Sequence, residues 1–115
     1  MSTETDLAKE ACEACRAGAP KVSALDIPKL MTQVPEWEVV NHEGTLMLER
    51  EYEFPDFAGA LAFTNRVGQL AESLQHHPDI LTAWGRVKLV WYTHKIGGLH
   101  RNDFRCAAKS DQLYT

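Results

Sequence analysis

The sequence predicts an α+β fold, in which one four-stranded antiparallel sheet has helices packed on one face, in the order α-β-β-α-β-β-α. Two pairs of short runs with strand-like alternation are each joined by a glycine-containing turn, as in β-hairpins. A long stretch between them repeats apolar residues at spacings of three and four, as an amphipathic helix does. Segregated hairpins and helices favour a sandwich of one sheet and one helical layer.

The strands form two hairpins. Residues 37–42 pair with 45–54 across a Glu-Gly turn, and 79–84 pair with 86–94 across a second glycine. Arg50 interrupts the apolar face of its strand, either as a snorkelling stem or as a buried charge partner. Near the end of the last strand both faces are apolar, so the sheet needs two covers. Helices supply one cover, and a second subunit is a candidate for the other.

The helices have recognisable ends. Either Ser23 or Asp26 can cap the first helix, and Pro35 stops it. Asp56 is a good N-cap for the longest helix, which ends before Pro78. Its apolar stripe consists of Ala60, Phe63, Val67, Leu70 and Leu74. One face of the longest helix is therefore expected to face the core.

The two ends of the chain differ in character. Residues 1–20 are predicted to be a loosely attached N-terminal extension, in which 6–17 could form a short helix. Residues 21–115 are predicted to be the folded domain. Asn102 or Asp103 is expected to cap a closing helix, on which Cys106 packs against the core.

Composition excludes several classes of protein. The 115 residues fit one domain. Twelve basic against sixteen acidic residues argue against non-specific nucleic-acid binding. The sequence contains no apolar run of the ~20 residues that a membrane span needs and no secretory signal, so we expect a cytoplasmic protein. Three cysteines do not indicate a disulfide framework.

Histidines indicate where chemistry could occur. Four of the five fall between residues 76 and 100. Glu72 and His76 are four residues apart, so we expect them to share a helix face, with the carboxylate orienting the imidazole. If the end of the strand at His94 lies beside the end of the helix at His76 and His77, three imidazoles converge. Trp84 or Trp91 would supply a flat apolar wall.

Imidazoles of different basicity can move protons in both directions, as an elimination of water requires. A zinc site built on Glu72, His76 and His94 is the rival interpretation. Cys12 and Cys15 form a C-x-x-C, but no second pair completes a metal site, and no βαβ pattern supports a redox motif. We therefore predict no metal.

The motif around the histidines resembles a known family. It reads Glu72-x-x-x-His76-His77-Pro78, then Trp84, Thr93-His94, Gly98-Leu99 and Asp103. This pattern, spread over Ser23 to Ala108, is similar to the pterin-4a-carbinolamine dehydratases, and most to their bacterial branch. The sequence departs from many relatives at Ile80, where an aromatic residue is common, and at Asn102.

The resemblance implies an enzyme. Its substrate would be a 4a-hydroxytetrahydropterin, dehydrated to the quinonoid dihydropterin with no cofactor, so that the pterin of an aromatic amino-acid hydroxylase is recycled. The catalytic residues would be His76, His77 and His94, with His77 and His94 transferring protons. Glu72, Trp84 and Asp103 would bind or support the substrate, and the protein would be a homodimer or homotetramer.

A binding module is the alternative to an enzyme. Animal relatives also act as dimerisation partners of a transcription factor, and the apolar outer face of the sheet favours self-association. A module that only binds would not need three imidazoles, whereas catalysis would.

Overall fold

The computed structural model describes residues 6–12 and 19–114. The helices are α1 (Ile27–Met31), α2 (Phe57–Leu74) and α3 (Arg101–Leu113), and the strands are β1 (Glu38–His42), β2 (Thr45–Glu53), β3 (Asp79–Ala83) and β4 (Arg86–Trp91). Single 3-10 turns occur at Leu7–Lys9 and His94–Ile96. This order confirms the predicted α+β fold. In the described ranges, no helix is both long and apolar enough to cross a lipid bilayer.

All four strands belong to one antiparallel sheet, in the order β1-β2-β4-β3. The predicted hairpins are confirmed as β1–β2 and β3–β4, and they join where β2 pairs with β4. Glu43 and Gly44 connect β1 to β2 with φ values of 52° and 90°, as the two central positions of a type I′ turn require. Because β3 pairs antiparallel with β4, its first residue is next to the end of β4.

One face of the sheet is buried under α2 and α3. Period two in β4 places alternate residues on this face, and those residues are fully buried. They meet the predicted stripe of α2, of which Ala60, Phe63 and Val67 are also fully buried. The other sheet face carries charged residues, including an ion pair between Lys88 and Glu49 (3.0 Å). What covers that face stays a prediction.

Of the two interpretations of Arg50, the structure supports the charge partner: its guanidinium pairs with a carboxylate and does not extend into solvent. Its Nη1 donates to Asp111 Oδ1 on α3 over 2.8 Å, and its guanidinium lies 4.2 Å from the centroid of the Tyr52 ring. Asp111 also accepts hydrogen bonds from Trp37 Nε1 and from the Tyr52 hydroxyl. One carboxylate of α3 thus holds the start of the sheet and its second strand.

The N-terminal strap, residues 6–12, is bound to α3. Leu7 is fully buried, and the Glu10 carboxylate accepts hydrogen bonds from Arg101 and Arg105 at 2.8 to 2.9 Å. The interpretation that this segment is loosely attached is therefore wrong, because acidic and apolar side chains within it have buried partners on α3. The predicted helix over 6–17 is reduced to one 3-10 turn at Leu7–Lys9, and 13–17 lie outside the described residues.

Candidate active site

The three predicted histidines line one hollow of about 390 Å³. It lies between the end of α2 and the loop after β4, and its lining residues are Leu74, Gln75, His76, His77, Thr93, His94 and Lys95. His76 is buried, whereas His77 and His94 are exposed. A buried ring beside two exposed ones provides a fixed wall and two groups open to a ligand.

The register of the second hairpin explains the convergence. Asp79 pairs with Val90, so the residues before β3 lie beside the residues after β4. His77 is two positions before Asp79, and His94 follows the end of β4 by three positions. The expected meeting of the helix end with the strand end therefore occurs.

A tight loop fixes His94. Thr93 N–H donates to Gly98 O over 2.8 Å, and Gly97 has a φ of 60°, which closes the turn after the 3-10 segment. The His94 ring lies 4.2 Å from the Tyr92 ring, centroid to centroid. This ring contact and the short loop limit how far the imidazole can move.

The end of α2 differs from the prediction. The helix ends at Leu74, because Gln75 adopts the left-handed conformation with a φ of 54°. His76 is thus outside the helix, and the predicted pairing of Glu72 with His76 is wrong. Instead, Glu72 Oε2 lies 3.6 Å from Nε2 of His77, with both side chains more than half exposed.

Asp103 holds the His76 imidazole. Nε2 of His76 donates to Oδ1 of this fully buried carboxylate over 2.7 Å. Oδ2 accepts from the Thr93 hydroxyl at 2.8 Å and from the His100 N–H at 2.9 Å. The ring of His76 also stacks on Trp91, with 5.5 Å between centroids and 17° between planes. A ring held on its edge and on one face has a fixed orientation.

His100 begins α3. Its Nδ1 accepts a hydrogen bond from the Asn102 N–H over 3.0 Å. In return, the carboxylate of Asp103, at the third helical position, accepts one from the His100 N–H, and the two bonds form a reciprocal cap. The expectation that Asn102 or Asp103 caps this helix is therefore wrong by two or three residues. An imidazole replaces the usual hydroxyl or carboxylate at the cap, so the sequence pattern did not reveal it.

Trp84 is not near the hollow. It lies at the closed end of the β3–β4 hairpin and is 72% exposed. Since a strand rises about 3.3 Å per residue, the five residues of β3 separate it from His77 by more than about 15 Å. Trp84 therefore cannot form a wall beside the histidines of its own chain, so that hypothesis is wrong. Trp91, the other candidate, stacks on the His76 ring instead.

Four residues of the hollow were not predicted as site residues. Leu74 was assigned to the stripe of the long helix, Thr93 appeared only as part of the motif, and Gln75 and Lys95 were not singled out. Gln75 shapes the hollow by ending α2 in the left-handed region, which gave no signal because glycine normally occupies that position. Lys95 brings an exposed ammonium to the rim. Thr93 bridges β4 to Asp103, and its position directly before His94 was the only available signal.

The rival zinc site is not assembled. Glu72 faces His77 and His76 faces Asp103. Over residues 6–12 and 19–114, no group of three or more histidine, cysteine, aspartate or glutamate side chains is placed to hold a metal ion.

Fold and site together define a class: a single-sheet α+β protein with a histidine-lined hollow where its long helix ends. The sequence model of the family described as "Pterin 4 alpha carbinolamine dehydratase" matches residues 20–113 of this chain. The chain belongs to this family.

Relatives cover nearly the whole sequence. A protein of Syntrophotalea carbinolica named "Putative pterin-4-alpha-carbinolamine dehydratase" is 52% identical over 107 residues, which are 93% of this chain and 96% of the relative. A Gloeobacter violaceus protein named "Putative pterin-4-alpha-carbinolamine dehydratase 1" is 52% identical over 108 residues, which are 94% of this chain and 93% of the relative.

Solved structures share the fold. The crystal structure of a transcriptional coactivator/pterin dehydratase from Brucella melitensis superposes with a TM-score of 0.77 at 25% identity, covering 84% of this chain and 100% of that one. A pterin dehydratase-like protein described as a RuBisCO assembly factor in the alpha-carboxysome superposes with a TM-score of 0.60 at 22% identity, covering 69% of this chain and 89% of that one. The second likeness concerns the fold alone.

Proposed function

We propose that this protein is a hydro-lyase that dehydrates a 4a-hydroxytetrahydropterin to the quinonoid dihydropterin. The observation that carries the proposal is the convergence of His76, His77 and His94 on one hollow in a chain of the pterin carbinolamine dehydratase family. The bicyclic ring of a pterin is polar at its edge, and the hollow offers imidazoles from the end of α2 and from the loop after β4.

The proposed chemistry needs two proton transfers. A neutral imidazole takes the proton from N5 of the substrate, while an imidazolium protonates the 4a-hydroxyl. The C4a–O bond then breaks, water leaves and a C4a=N5 double bond forms, so atoms and electrons balance. Positioned acid–base groups of this kind contribute roughly 10² to 10⁴ in rate. The proposed reaction uses no metal and no organic cofactor.

Burial favours a division of roles among the rings. His77 and His94 are exposed and are proposed to exchange protons with the substrate. His76 is fixed by Asp103 and Trp91, and is proposed to orient the 4a-hydroxyl. Glu72 is proposed to support His77, which its carboxylate approaches to 3.6 Å.

Alanine substitution of the two exposed rings tests these roles. We expect His77→Ala and His94→Ala each to lower turnover by roughly 10²-fold, because each removes one proton-transfer group. Turnover is measured by ultraviolet absorbance after mixing each protein with freshly generated 4a-carbinolamine, and circular dichroism reports whether the fold is intact.

His42→Ala is the matched control, since His42 is exposed on β1, and it should keep wild-type turnover. Unchanged turnover in both test variants would remove the assigned roles. A wild-type rate equal to the uncatalysed one would refute the hydro-lyase itself.

The cellular setting belongs to the same proposal. After a two-electron reduction of the dihydropterin to the tetrahydropterin by a separate reductase, the pterin would return to an aromatic amino-acid hydroxylase, in the cytoplasm. Self-association as a dimer or tetramer is also proposed, and large apolar side chains exposed on α2 and near β3 support it: Phe57, Leu61, Leu81 and Trp84.

A binding module is the second candidate function. The Brucella melitensis structure carries the word coactivator beside pterin dehydratase in its description, and the exposed apolar side chains suit a protein partner. The same turnover measurement separates the two candidates, because a module that only binds would not accelerate dehydration.

A further inference from the structure

Two thiols meet where the N-terminal strap crosses α3, outside the histidine hollow. Cys12 packs against the core cluster that contains Cys106, and a side-chain hydrogen bond joins the two thiols. Cys12 is partly exposed, whereas Cys106 is fully buried in the core. A small solute can therefore reach Cys12 more readily than Cys106, which lies inside the core.

The strap holds Cys12 in this position. Glu10, two residues earlier, is bound by Arg101 and Arg105, and Lys109 Nζ donates to Ala8 O over 2.9 Å. Partners on successive turns of α3 thus fix the backbone of the strap. The strap is therefore held against the helix that carries Cys106.

The surroundings of Cys12 favour its thiolate. The Cys106 hydrogen bond, with the positive charges of Lys109 and Arg105, lowers the pKa of Cys12 to about 7, although burial acts in the opposite direction. Hydrogen bonding to Cys12 and burial raise the pKa of Cys106. An accessible thiolate beside a protonated thiol is the arrangement of an attacking cysteine with its resolving partner.

We propose that Cys12 and Cys106 are a peroxide-reactive pair that closes to an intramolecular disulfide. The Cys12 thiolate attacks one oxygen of hydrogen peroxide, the O–O bond breaks, and Cys12 sulfenic acid and hydroxide form. The Cys106 sulfur then attacks the Cys12 sulfur, the S–O bond breaks, and the leaving hydroxyl takes the thiol proton as water. The pair loses two electrons, and the peroxide is reduced to water.

The disulfide would tie the strap covalently to α3, one turn after Asp103, and would leave Cys15 unpaired. The competing product is a disulfide within the C-x-x-C, in which Cys12 would join Cys15. Glu13 separates those two cysteines, so combined cleavage after glutamate, lysine and arginine places all three cysteines on different peptides.

The test is disulfide mapping of the full-length protein. Purified protein is treated with hydrogen peroxide, quenched, denatured, alkylated with iodoacetamide, cleaved and analysed by mass spectrometry. We expect the Cys12 and Cys106 peptides to be joined, two hydrogen atoms lighter than their sum, and to separate with dithiothreitol. Cys15→Ser is the matched control and should form the same cross-link.

Cys106→Ala should leave Cys12 as a sulfenic acid that dimedone traps, with the fold checked by circular dichroism. Cross-linking of Cys12 to Cys15 would overturn the proposal, as would loss of the cross-link in Cys15→Ser. Recovery of all three cysteines in alkylated form after peroxide treatment would also overturn it.

Discussion

At the scale of single residues, Asp103 connects folding to the candidate site. Its two oxygens accept hydrogen bonds from His76, Thr93 and the His100 N–H, and its side chain has no solvent exposure. A buried donor that loses its acceptor costs about 1 to 3 kcal/mol. Three such donors depend on this carboxylate, so it both orients an imidazole and stabilises the start of α3.

Asp103→Ala should therefore lower the free energy of unfolding by about 3 kcal/mol or more, measured by urea denaturation. Asp26→Ala is the control. Asp26 is an exposed aspartate at a helix cap position that makes no side-chain cap hydrogen bond, and its replacement should change stability by less than about 0.5 kcal/mol. Equal losses in the two variants would contradict the role given to Asp103.

The partners of the histidines were only partly predictable. Spacing alone paired Glu72 with His76, which requires the helix to continue to residue 76. The left-handed Gln75 ends it earlier, and a non-glycine residue in that conformation leaves no mark in the sequence. His76 then turns to Asp103, twenty-seven positions away in the chain, and a contact of that range depends on how α3 packs on the sheet.

At the scale of secondary structure, the N-terminal strap is an integral part of the helical layer. Its ion pairs join Glu10 to two arginines of α3, and its leucine is inserted against the core. Side-chain burial in such a short segment stabilises the fold only if the segment stays attached. The energetic contribution of Leu7 therefore measures that attachment.

Leu7→Ala should destabilise the protein by about 2 to 4 kcal/mol, the usual range for a leucine truncated in a packed site. Leu25→Ala removes the same atoms from a side chain that is 83% exposed, and should be neutral within about 0.5 kcal/mol. Thermal and urea unfolding of both variants provide the comparison. A neutral Leu7→Ala would mean that the strap detaches without consequence.

The elements themselves were predictable where the pattern was local. Alternation in β2 and β4 and the stripe of α2 each follow from a period in the sequence, and all three elements occur. The order of the strands and the attachment of the strap depend on contacts between distant residues. No period in the strap indicated that its leucine would be buried, because one large apolar side chain among small and polar residues is not a pattern.

At the scale of the whole molecule, Asp111 connects the two layers. On α3 it receives Trp37 from the segment before β1, and Arg50 and Tyr52 from β2. Burial of Tyr52, with its hydrogen bond to this carboxylate and the negative charge of that group, raises the pKa of the tyrosine well above its ordinary value of 10.0. The phenol therefore stays protonated in the folded protein at a pH where an unfolded chain ionises.

This difference makes stability depend on pH in the alkaline range. Below about pH 10, folded and unfolded chains both carry the phenol proton, so this stabilisation is fully present. Above that pH only the unfolded chain releases the proton, and the free energy of unfolding should fall by up to about 1.4 kcal/mol per pH unit. Tyr52→Phe should remove this part of the slope between pH 9 and 11, measured by urea denaturation. Tyr92→Phe, at the far end of β4 beside His94, should keep the wild-type slope, and an unchanged slope in Tyr52→Phe would contradict the assignment.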